Sequence, residues 1–292
     1  MTRANLTQLL NSSTSARSGI GAFNVVLLEH AEAIVAGAED AGLPVILQIS
    51  ENCVRYHGSL APIVLASRAL ATSAAVPVVV HLDHIEDASI VREGIALGVD
   101  SVMYDASRLN YDENVARTRE LADECRAAGV AIEAELGEVG GKDGAHAAGA
   151  RTDPAEAAAF VAATGVDTLA VAVGTSHAMQ SRVALVDREL IGRLRDAVGV
   201  PLVLHGSSGL ADDELAAAIR AGMTKINIST HLNGLFTRAV RTTLGADAAL
   251  VDPRKYVSPG RAAIRREVGR LQRLLADPKI LVSEAIATGR TH

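Results

Sequence analysis

Three histidines stand where short runs of β-branched residues end. His84 follows the run PVVVHL, His177 follows TLAVAV, and His205 ends PLVLH. Three neutral imidazoles that leave a fourth position open are the ligand set of a catalytic zinc ion, which polarises a carbonyl without changing its own redox state. A single histidine is more often an ordinary core or surface residue, but three in equivalent positions favour a zinc site.

Carboxylates accompany these histidines at the ends of the same kind of run. Asp83 directly precedes His84, and an aspartate beside zinc either carries a proton or orients a ligand; we favour the proton carrier. Because consecutive strand residues point to opposite faces, the chain must turn here to bring both side chains to one site. Asp105 and Glu135 could bind a second cation, support the first site electrostatically or accept backbone hydrogen bonds, and the sequence leaves these roles open.

Small and hydroxyl-bearing residues follow two further runs. HGSSG at 205–209 and NIST at 227–230 offer backbone N–H groups and hydroxyls, with which many parallel barrels hold a phosphate. Together with two polar residues that end the first two runs, the candidate substrate and phosphate contacts are Asn24, Ser50, Gly206, Ser208, Asn227, Ser229 and Thr230. Two polar turns without a ligand are the alternative, which is weaker because both turns are expected at the same face.

Eight β-branched runs alternate with Ala-, Leu- and Glu-rich stretches of helical period, which is typical of a parallel sheet with crossover helices. The predicted strands are residues 21–26, 44–49, 77–82, 100–104, 130–136, 168–173, 201–205 and 224–228. Eight such units predict an α/β fold, a (β/α)8 TIM barrel, whose catalytic groups lie at the carboxyl ends of the strands. The histidines and carboxylates described above occupy those ends.

Two predicted helices lie outside the eight units. A helix over residues 5–16 would close the bottom of the barrel, and a helical tail over 259–287 exceeds what the barrel needs. The tail could pack on a neighbouring subunit or, almost as readily, lie on its own barrel. A length of 292 residues fits one domain over 1–292, with 252–292 as its C-terminal extension.

Composition argues against several classes of protein. The net charge is −6 and the chain has no Trp, so neither a basic patch nor a set of stacking platforms favours nucleic acid. No apolar run is long enough to cross a bilayer and the N-terminal segment lacks the features of a secretory signal, so we expect no membrane partner and a cytoplasmic location. Cys53 and Cys125 lack metal-type spacing and are expected to be reduced thiols.

Five motifs resemble those of the class II fructose-bisphosphate and tagatose-bisphosphate aldolases, in the same order: HLDH at 81–84, EAELGEVGGKDG at 133–144, VGTSHA at 173–178, LHGSSGL at 204–210 and KINIST at 225–230. The resemblance covers essentially the whole chain. It implies zinc-dependent, reversible cleavage of a phosphorylated ketose, first of all fructose 1,6-bisphosphate, to dihydroxyacetone phosphate and an aldehyde such as glyceraldehyde 3-phosphate. By matched motif, His84, His177 and His205 are similar to the zinc ligands, and Asp83 to the residue that exchanges a proton with the hydroxyl of the aldehyde half.

The resemblance also implies accessory ions and a second proton-transfer residue. Asp105 and Glu135 match carboxylates of an accessory divalent-metal position, and the two polar turns imply a monovalent-cation site. The family loop GG-x-E-D supplies a glutamate that takes a proton from the dihydroxyacetone phosphate carbon; here the loop reads GGKDG, which puts Asp143 at that position. A phosphate-site lysine of the family is missing after His177, and Arg182 is its candidate substitute.

The segment DPRK at 252–255 resembles one whose arginine reaches the active site of a neighbouring subunit, so Arg254 is a candidate contact of the second phosphate. A salt bridge within the tail is the alternative. A subunit-crossing arginine implies a homodimer or a homotetramer. The substrate stays open between fructose 1,6-bisphosphate, tagatose 1,6-bisphosphate and the phosphorylated deoxy-ketoacid of inositol breakdown.

Two other functions compete with this one. A Schiff-base aldolase needs a lysine inside the barrel, but the sixth run, TLAVAV, has none, and Lys225 is expected at the wrong end of the eighth strand. A non-catalytic sugar-phosphate-binding barrel is the second rival, because the altered loop and the missing lysine both bear on catalysis and fold alone does not fix function.

Overall fold

The computed structural model describes residues 5–136, 151–175 and 184–277. Eight parallel strands form a closed barrel in which each strand pairs with the next one along the chain and the last pairs with the first. The strands are β1 (Ile20–Asn24), β2 (Val45–Ser50), β3 (Val78–Ile85), β4 (Ser101–Tyr104), β5 (Ala131–Leu136), β6 (Thr168–Val171), β7 (Leu202–Leu204) and β8 (Met223–Ile228). The predicted (β/α)8 TIM barrel is confirmed.

Eleven helices are present in the described part of the chain, and most of them cover the outside of the barrel. They are α1 (Leu6–Ala16), α2 (Leu28–Ala41), α3 (Glu51–His57), α4 (Ala61–Ser73), α5 (Ala88–Leu97), α6 (Tyr111–Ala128), α7 (Pro154–Thr164), α8 (Arg188–Ala197), α9 (Asp212–Ala221), α10 (Thr230–Ala246) and α11 (Pro253–Ala276). None of them is long and apolar enough to span a membrane.

Helix α7 shows how local sequence sets the helix bounds. Asp153 accepts hydrogen bonds from the backbone N–H groups of Ala155 and Glu156, and Pro154 occupies the first turn, where its missing N–H costs nothing. The helix ends at Gly165, whose φ of 68° lies in the left-handed region that a side chain disfavours. The residues at the two ends of α7 therefore set where it begins and ends.

Helix α1 closes the amino-terminal end of the barrel, as predicted. Its Leu6 and Leu10 are almost completely buried and pack against interior residues of three strands. The interior residues of this cluster are Ile20, Ala22, Ile46 and Val79. Burying such side chains stabilises the fold by about 1.5–3 kcal/mol each, so this end of the barrel is an apolar core.

Helix α11 begins earlier than the predicted residue 259. Asp252 caps it by accepting from the N–H of Arg254, Pro253 occupies its first turn, and Pro259 is accommodated inside it. Its buried face, which includes Val268, lies on α2 and β1 of its own barrel, and Gln272 accepts a hydrogen bond of 3.0 Å from the N–H of Gly21. The buried face of this helix thus needs no neighbouring subunit. The predicted residues 278–287 lie outside the described ranges.

Candidate active site

The barrel interior changes from apolar to polar towards the carboxyl ends of the strands. In β3 the residues that alternate onto the interior face are Val79, His81 and Asp83, and all three are buried. Alternate residues of a strand share one face, so β3 carries an apolar position at the bottom and polar ones above it. By the same alternation, Glu133 and Glu135 of β5 lie on the same face of their strand and are both buried.

The end of β3 breaks this alternation and so presents two adjacent side chains to one site. His84 has a φ of 49°, in the left-handed region, and the pairing register between β3 and β4 shifts between Leu82 and Ile85. Such strain in a residue other than glycine is kept where the surroundings require it and is commonest at functional sites. Ligand atoms of Asp83, His84 and His205 lie within 4.8 Å of one another. The turn expected at this point is present, although β3 runs on to Ile85, beyond the predicted residue 82.

The two described candidate metal ligands face each other edge to face. The ring centroids of His84 and His205 lie 4.6 Å apart, with an angle of 81° between the ring planes. Nδ1 of His84 lies 2.8 Å from Oδ2 of Asp105, and Oδ1 of that aspartate accepts from the hydroxyl of Ser107 at 2.6 Å. Because an ionised carboxylate only accepts, Nδ1 of His84 carries the proton, which leaves the lone pair of Nε2 for a metal.

His205 is held in the opposite tautomer. Its Nε2 lies 3.1 Å from Oε1 of Glu133, so this nitrogen donates, and the lone pair belongs to Nδ1, 3.7 Å from Oε2 of Glu135. The hydroxyl of Thr175 donates to the backbone carbonyl of His205 at 2.6 Å and fixes the end of β7. Carboxylates that orient imidazoles in this way are typical of metal sites in proteins.

Amide groups hold Asp83 in place. Asn24 Nδ2 donates to Oδ2 of Asp83 at 3.0 Å, and Asn227 Nδ2 lies 3.4 Å from Oδ1. Gln48 Nε2 donates to Oδ1 of Asn24 at 3.1 Å and so fixes which way that amide points. Burial by itself would raise the pKa of Asp83, but the positive charges of His84 and Lys225 outweigh it and lower the pKa below its usual value. Asp83 is therefore ionised at neutral pH.

The surroundings of His84 are negative enough to favour a cation. Burial opposes a charged imidazole, yet Asp83 and the hydrogen bond to Asp105 raise the pKa of His84 above its usual value. Ligand atoms of His84, Asp105 and Glu135 form a second group within 4.8 Å. The field that favours an imidazolium also favours a divalent ion, because both place positive charge among these carboxylates.

The two polar turns meet at the start of α10. Gly206 has a φ of 68° and opens a one-turn 3-10 helix over Ser207–Gly209. Oγ of Ser208 accepts hydrogen bonds of 3.3 Å from the N–H groups of both Ser229 and His231. Thr230 is the first residue of α10, so this turn sits on a helix amino terminus, which favours an anion. Across the barrel, Ser50 caps α3 by accepting from the N–H of Cys53.

Comparisons with known proteins decide which family this site belongs to. The model of the class II fructose-bisphosphate aldolases matches residues 4–277. The chain belongs to this family. A fructose-bisphosphate aldolase of Geobacillus stearothermophilus is 38% identical over 272 residues, which cover 92% of this chain and 95% of the relative.

Solved structures agree with this class II aldolase assignment. The YdjI aldolase of Escherichia coli K12 superposes with a TM-score of 0.83 at 32% identity, covering 95% of this chain and 99% of the other. Fructose-bisphosphate aldolase of Campylobacter jejuni gives a TM-score of 0.76 over 92% of this chain and 93% of that one, but at 22% identity this likeness shows the fold alone. The class II aldolase is thus a carbon–carbon lyase for a phosphorylated sugar, in a family that is typically metal-dependent.

Several predicted site residues of the class II aldolase are not brought together by the described structure. His177, Asp143 and Arg182 lie outside the described residues. The side chain of Arg254 is 88% exposed, and its guanidinium contacts Asp252 alone within the described ranges. This is the salt bridge within the tail that the sequence left as the alternative, and the contact with a second phosphate stays a prediction.

Three interior residues were missed in the sequence: Gln48, Glu133 and Lys225. Each is fully or almost fully buried and lies two residues before a polar strand-end residue, so the period of two would have found them. Lys225 lies near the start of β8, as expected, but its Nζ reaches to 2.8 Å from Oε2 of Glu133, beneath His205. An ammonium that donates to a carboxylate is not the free amine that a Schiff base requires.

Proposed function

We propose that this class II aldolase uses a zinc ion to cleave a ketose 1,6-bisphosphate reversibly, with fructose 1,6-bisphosphate as substrate and dihydroxyacetone phosphate and glyceraldehyde 3-phosphate as products. The observation that carries the proposal is the pair of oppositely oriented imidazoles, His84 and His205, beside the ionised Asp83. Nitrogen donors with a neighbouring carboxylate suit zinc better than a purely oxygen-binding ion.

Nε2 of His84 and Nδ1 of His205 would hold the metal, with His177 as the third ligand. When bound, a divalent ion polarises the ketose carbonyl and stabilises the negative charge that develops as the C3–C4 bond breaks. Asp105 and Glu135 are proposed to serve an accessory divalent position, which their proximity to His84 supports. A monovalent cation is proposed at the polar turns that start at Gly206 and Asn227.

Asp83 is proposed to remove the proton from the C4 hydroxyl in the cleavage direction. Its carboxylate is buried, ionised and fixed by the amide of Asn24, which leaves little freedom to reorganise during the reaction. In the condensation direction the same carboxyl returns the proton. Asp143 is proposed to exchange the other proton, at the carbon of dihydroxyacetone phosphate.

The turn at Gly206–Ser208 and the start of α10 are proposed to bind one phosphate. Oγ of Ser208 accepts from two N–H groups of this helix terminus, those of Ser229 and His231, so its hydroxyl proton is left to donate to a phosphate oxygen held at the helix amino terminus. Asn24, Ser50, Asn227 and Thr230 complete the proposed contacts to substrate. For the second phosphate we propose Arg254 of a neighbouring subunit, which requires a homodimer or a homotetramer.

A substrate panel tests the proposed reaction. Release of dihydroxyacetone phosphate is measured with zinc-loaded enzyme on fructose 1,6-bisphosphate, tagatose 1,6-bisphosphate and the deoxy-ketoacid phosphate of inositol breakdown. The highest kcat/KM is expected for the fructose substrate, with the Asp83→Asn variant as the inactive control. A preference for another substrate would reassign the specificity, and no product from any of them despite bound zinc would indicate a binding protein.

Mixing two variants tests the shared site. Arg254→Ala and Asp83→Asn proteins are each expected to be weakly active, but a hybrid dimer contains one site with both defects and one with neither. Equal mixing after subunit exchange should therefore restore about a quarter of the wild-type activity. If Arg254 acts only within its own chain, mixing restores nothing.

A further inference from the structure

A buried ion pair lies directly beneath His205. Nζ of Lys225 donates to Oε2 of Glu133 at 2.8 Å, and both side chains have an exposed fraction of 0%. The other carboxylate oxygen, Oε1, is the one that orients Nε2 of His205. The lysine and the candidate metal ligand are therefore joined by a single carboxylate that spans the barrel interior.

The neighbours of Lys225 fix where its ammonium points. Nζ also lies 3.3 Å from Nε2 of His81, whose Nδ1 lies 2.8 Å from the hydroxyl of Ser101. Since an ammonium can only donate, Nε2 of His81 accepts and its Nδ1 carries the proton. His81 is thus a neutral imidazole that acts as a second acceptor, and it restrains the ammonium between β3 and β5.

Stability alone does not explain a charged pair at this position. Removing two charges from water costs several kcal/mol per ion, and apolar replacements of buried ion pairs are often neutral or stabilising. The lower layer of this same barrel is filled by aliphatic side chains such as Ile46 and Val79. An ion pair that replaces them one layer higher, in contact with a candidate ligand, indicates a function beyond packing.

We propose that Lys225 is a positioning residue of the metal centre, which holds Glu133 as a fixed acceptor so that His205 keeps its Nδ1 lone pair directed at the metal. The proposal rests on the metal site proposed above. Without the ammonium, the carboxylate loses its strongest donor and the imidazole loses its restraint. Partners of this kind in other metal sites change metal affinity by about 10–100-fold when they are removed.

Zinc affinity is the measurement that separates this role from a structural one. It is determined by competition with a chromophoric chelator for the wild type and Lys225→Met, and the visible absorption spectrum of the cobalt(II)-loaded proteins reports the ligand geometry. We expect Lys225→Met to bind zinc about 10–100-fold more weakly and to give an altered cobalt spectrum. Gln272→Met removes buried hydrogen bonds of α11 far from the site, so it controls for destabilisation and should bind zinc as the wild type does.

A second variant covers the case in which Lys225→Met does not fold because Glu133 is left charged and unpaired. The double variant Glu133→Gln with Lys225→Met buries no net charge and still offers an amide oxygen to His205, so its zinc affinity decides the proposal. Weakened binding in a cooperatively folded double variant supports the positioning role. Wild-type affinity with an unchanged cobalt spectrum overturns it while the metal site stands, whereas a wild-type protein that binds no zinc overturns the metal site and this inference with it.

Discussion

The two ends of the barrel interior use the same strands for opposite purposes. At the amino-terminal end, Leu6 and Leu10 of α1 pack against aliphatic residues of β1, β2 and β3. At the carboxyl end, the same strands carry amides and carboxylates: Asn24 donates to Asp83 and accepts from Gln48, and Gln48 and Asp83 are buried. One end therefore contributes stability and the other contributes chemistry, although two to four residues separate them along a strand.

This difference shows what determines where a reactive group can lie. A buried carboxylate is costly unless donors surround it, and the polar end supplies Asn24, Asn227 and Lys225 for that purpose. The apolar end supplies the burial that compensates for a polar layer above it. Substitutions at the two ends should therefore separate activity from stability.

The largest expected effect is the loss of activity in Asp83→Asn. Without a carboxylate to take the C4 hydroxyl proton, kcat should fall by about 10²–10⁴-fold, while zinc content and the folded state are retained. Asp167→Asn is the matched control at the apolar end, where Oδ2 of Asp167 accepts from the N–H of Ile132, and it should keep wild-type turnover. Equal losses in both variants, measured as steady-state kcat, would refute the separation of the two ends.

A large loss of stability is expected from Leu10→Ala. Leu10 is fully buried beneath the barrel, so truncation leaves a cavity and should lower the free energy of unfolding by about 2–5 kcal/mol. Zinc affinity and kcat of the folded protein should not change. Leu65→Ala is the control, because this leucine is 50% exposed and its loss should cost less than about 0.5 kcal/mol. A strong loss of zinc affinity in Leu10→Ala would mean that the two ends are coupled.

A smaller loss of stability is expected where α11 contacts the start of α10, outside the polar end of the barrel. Glu267 of α11 contacts His231 at the start of α10 and also pairs with Arg270. Although burial would raise the pKa of Glu267, the hydrogen bonds to Arg270 and His231 lower it to about 2, from a usual value of 4.5. Glu267→Gln should cost about 1–3 kcal/mol at neutral pH.

The sign of this pH effect follows from the lowered pKa. The stability contributed by Glu267 is fully present above pH 4.5 and is lost as the pH falls towards about 2, so the difference between wild type and Glu267→Gln should vanish in that window. Urea unfolding at several pH values measures it, with Glu120→Gln on the exposed face of α6 as control. A difference that is constant between pH 7 and pH 2 would contradict the assigned cause.

The barrel could be predicted from the sequence because its strands and helices have distinct hydrophobic periods. The position of α1 at the amino-terminal end of the barrel was also predicted correctly. The sequence further indicated that His84 and His205 lie near each other, because both follow strand ends at one face of the barrel; their role as metal ligands stays a prediction. The period of two would have placed Glu133 and Lys225 inside the barrel, but not as partners, because contacts across the barrel follow only once the pairing register is known. The start of α11 was predicted at residue 259 rather than at Pro253, because the cap formed by Asp252 and Pro253 was not recognised as a helix start.

Metal removal and restoration test the central claim most directly. The protein is stripped with a chelator until no zinc is detected, and the release of dihydroxyacetone phosphate from fructose 1,6-bisphosphate is measured before and after zinc is returned. We expect cleavage to disappear with the metal and to return at one zinc per subunit, with no return in the His205→Ala variant. Cleavage that persists in the fully stripped protein would contradict the metal-dependent mechanism.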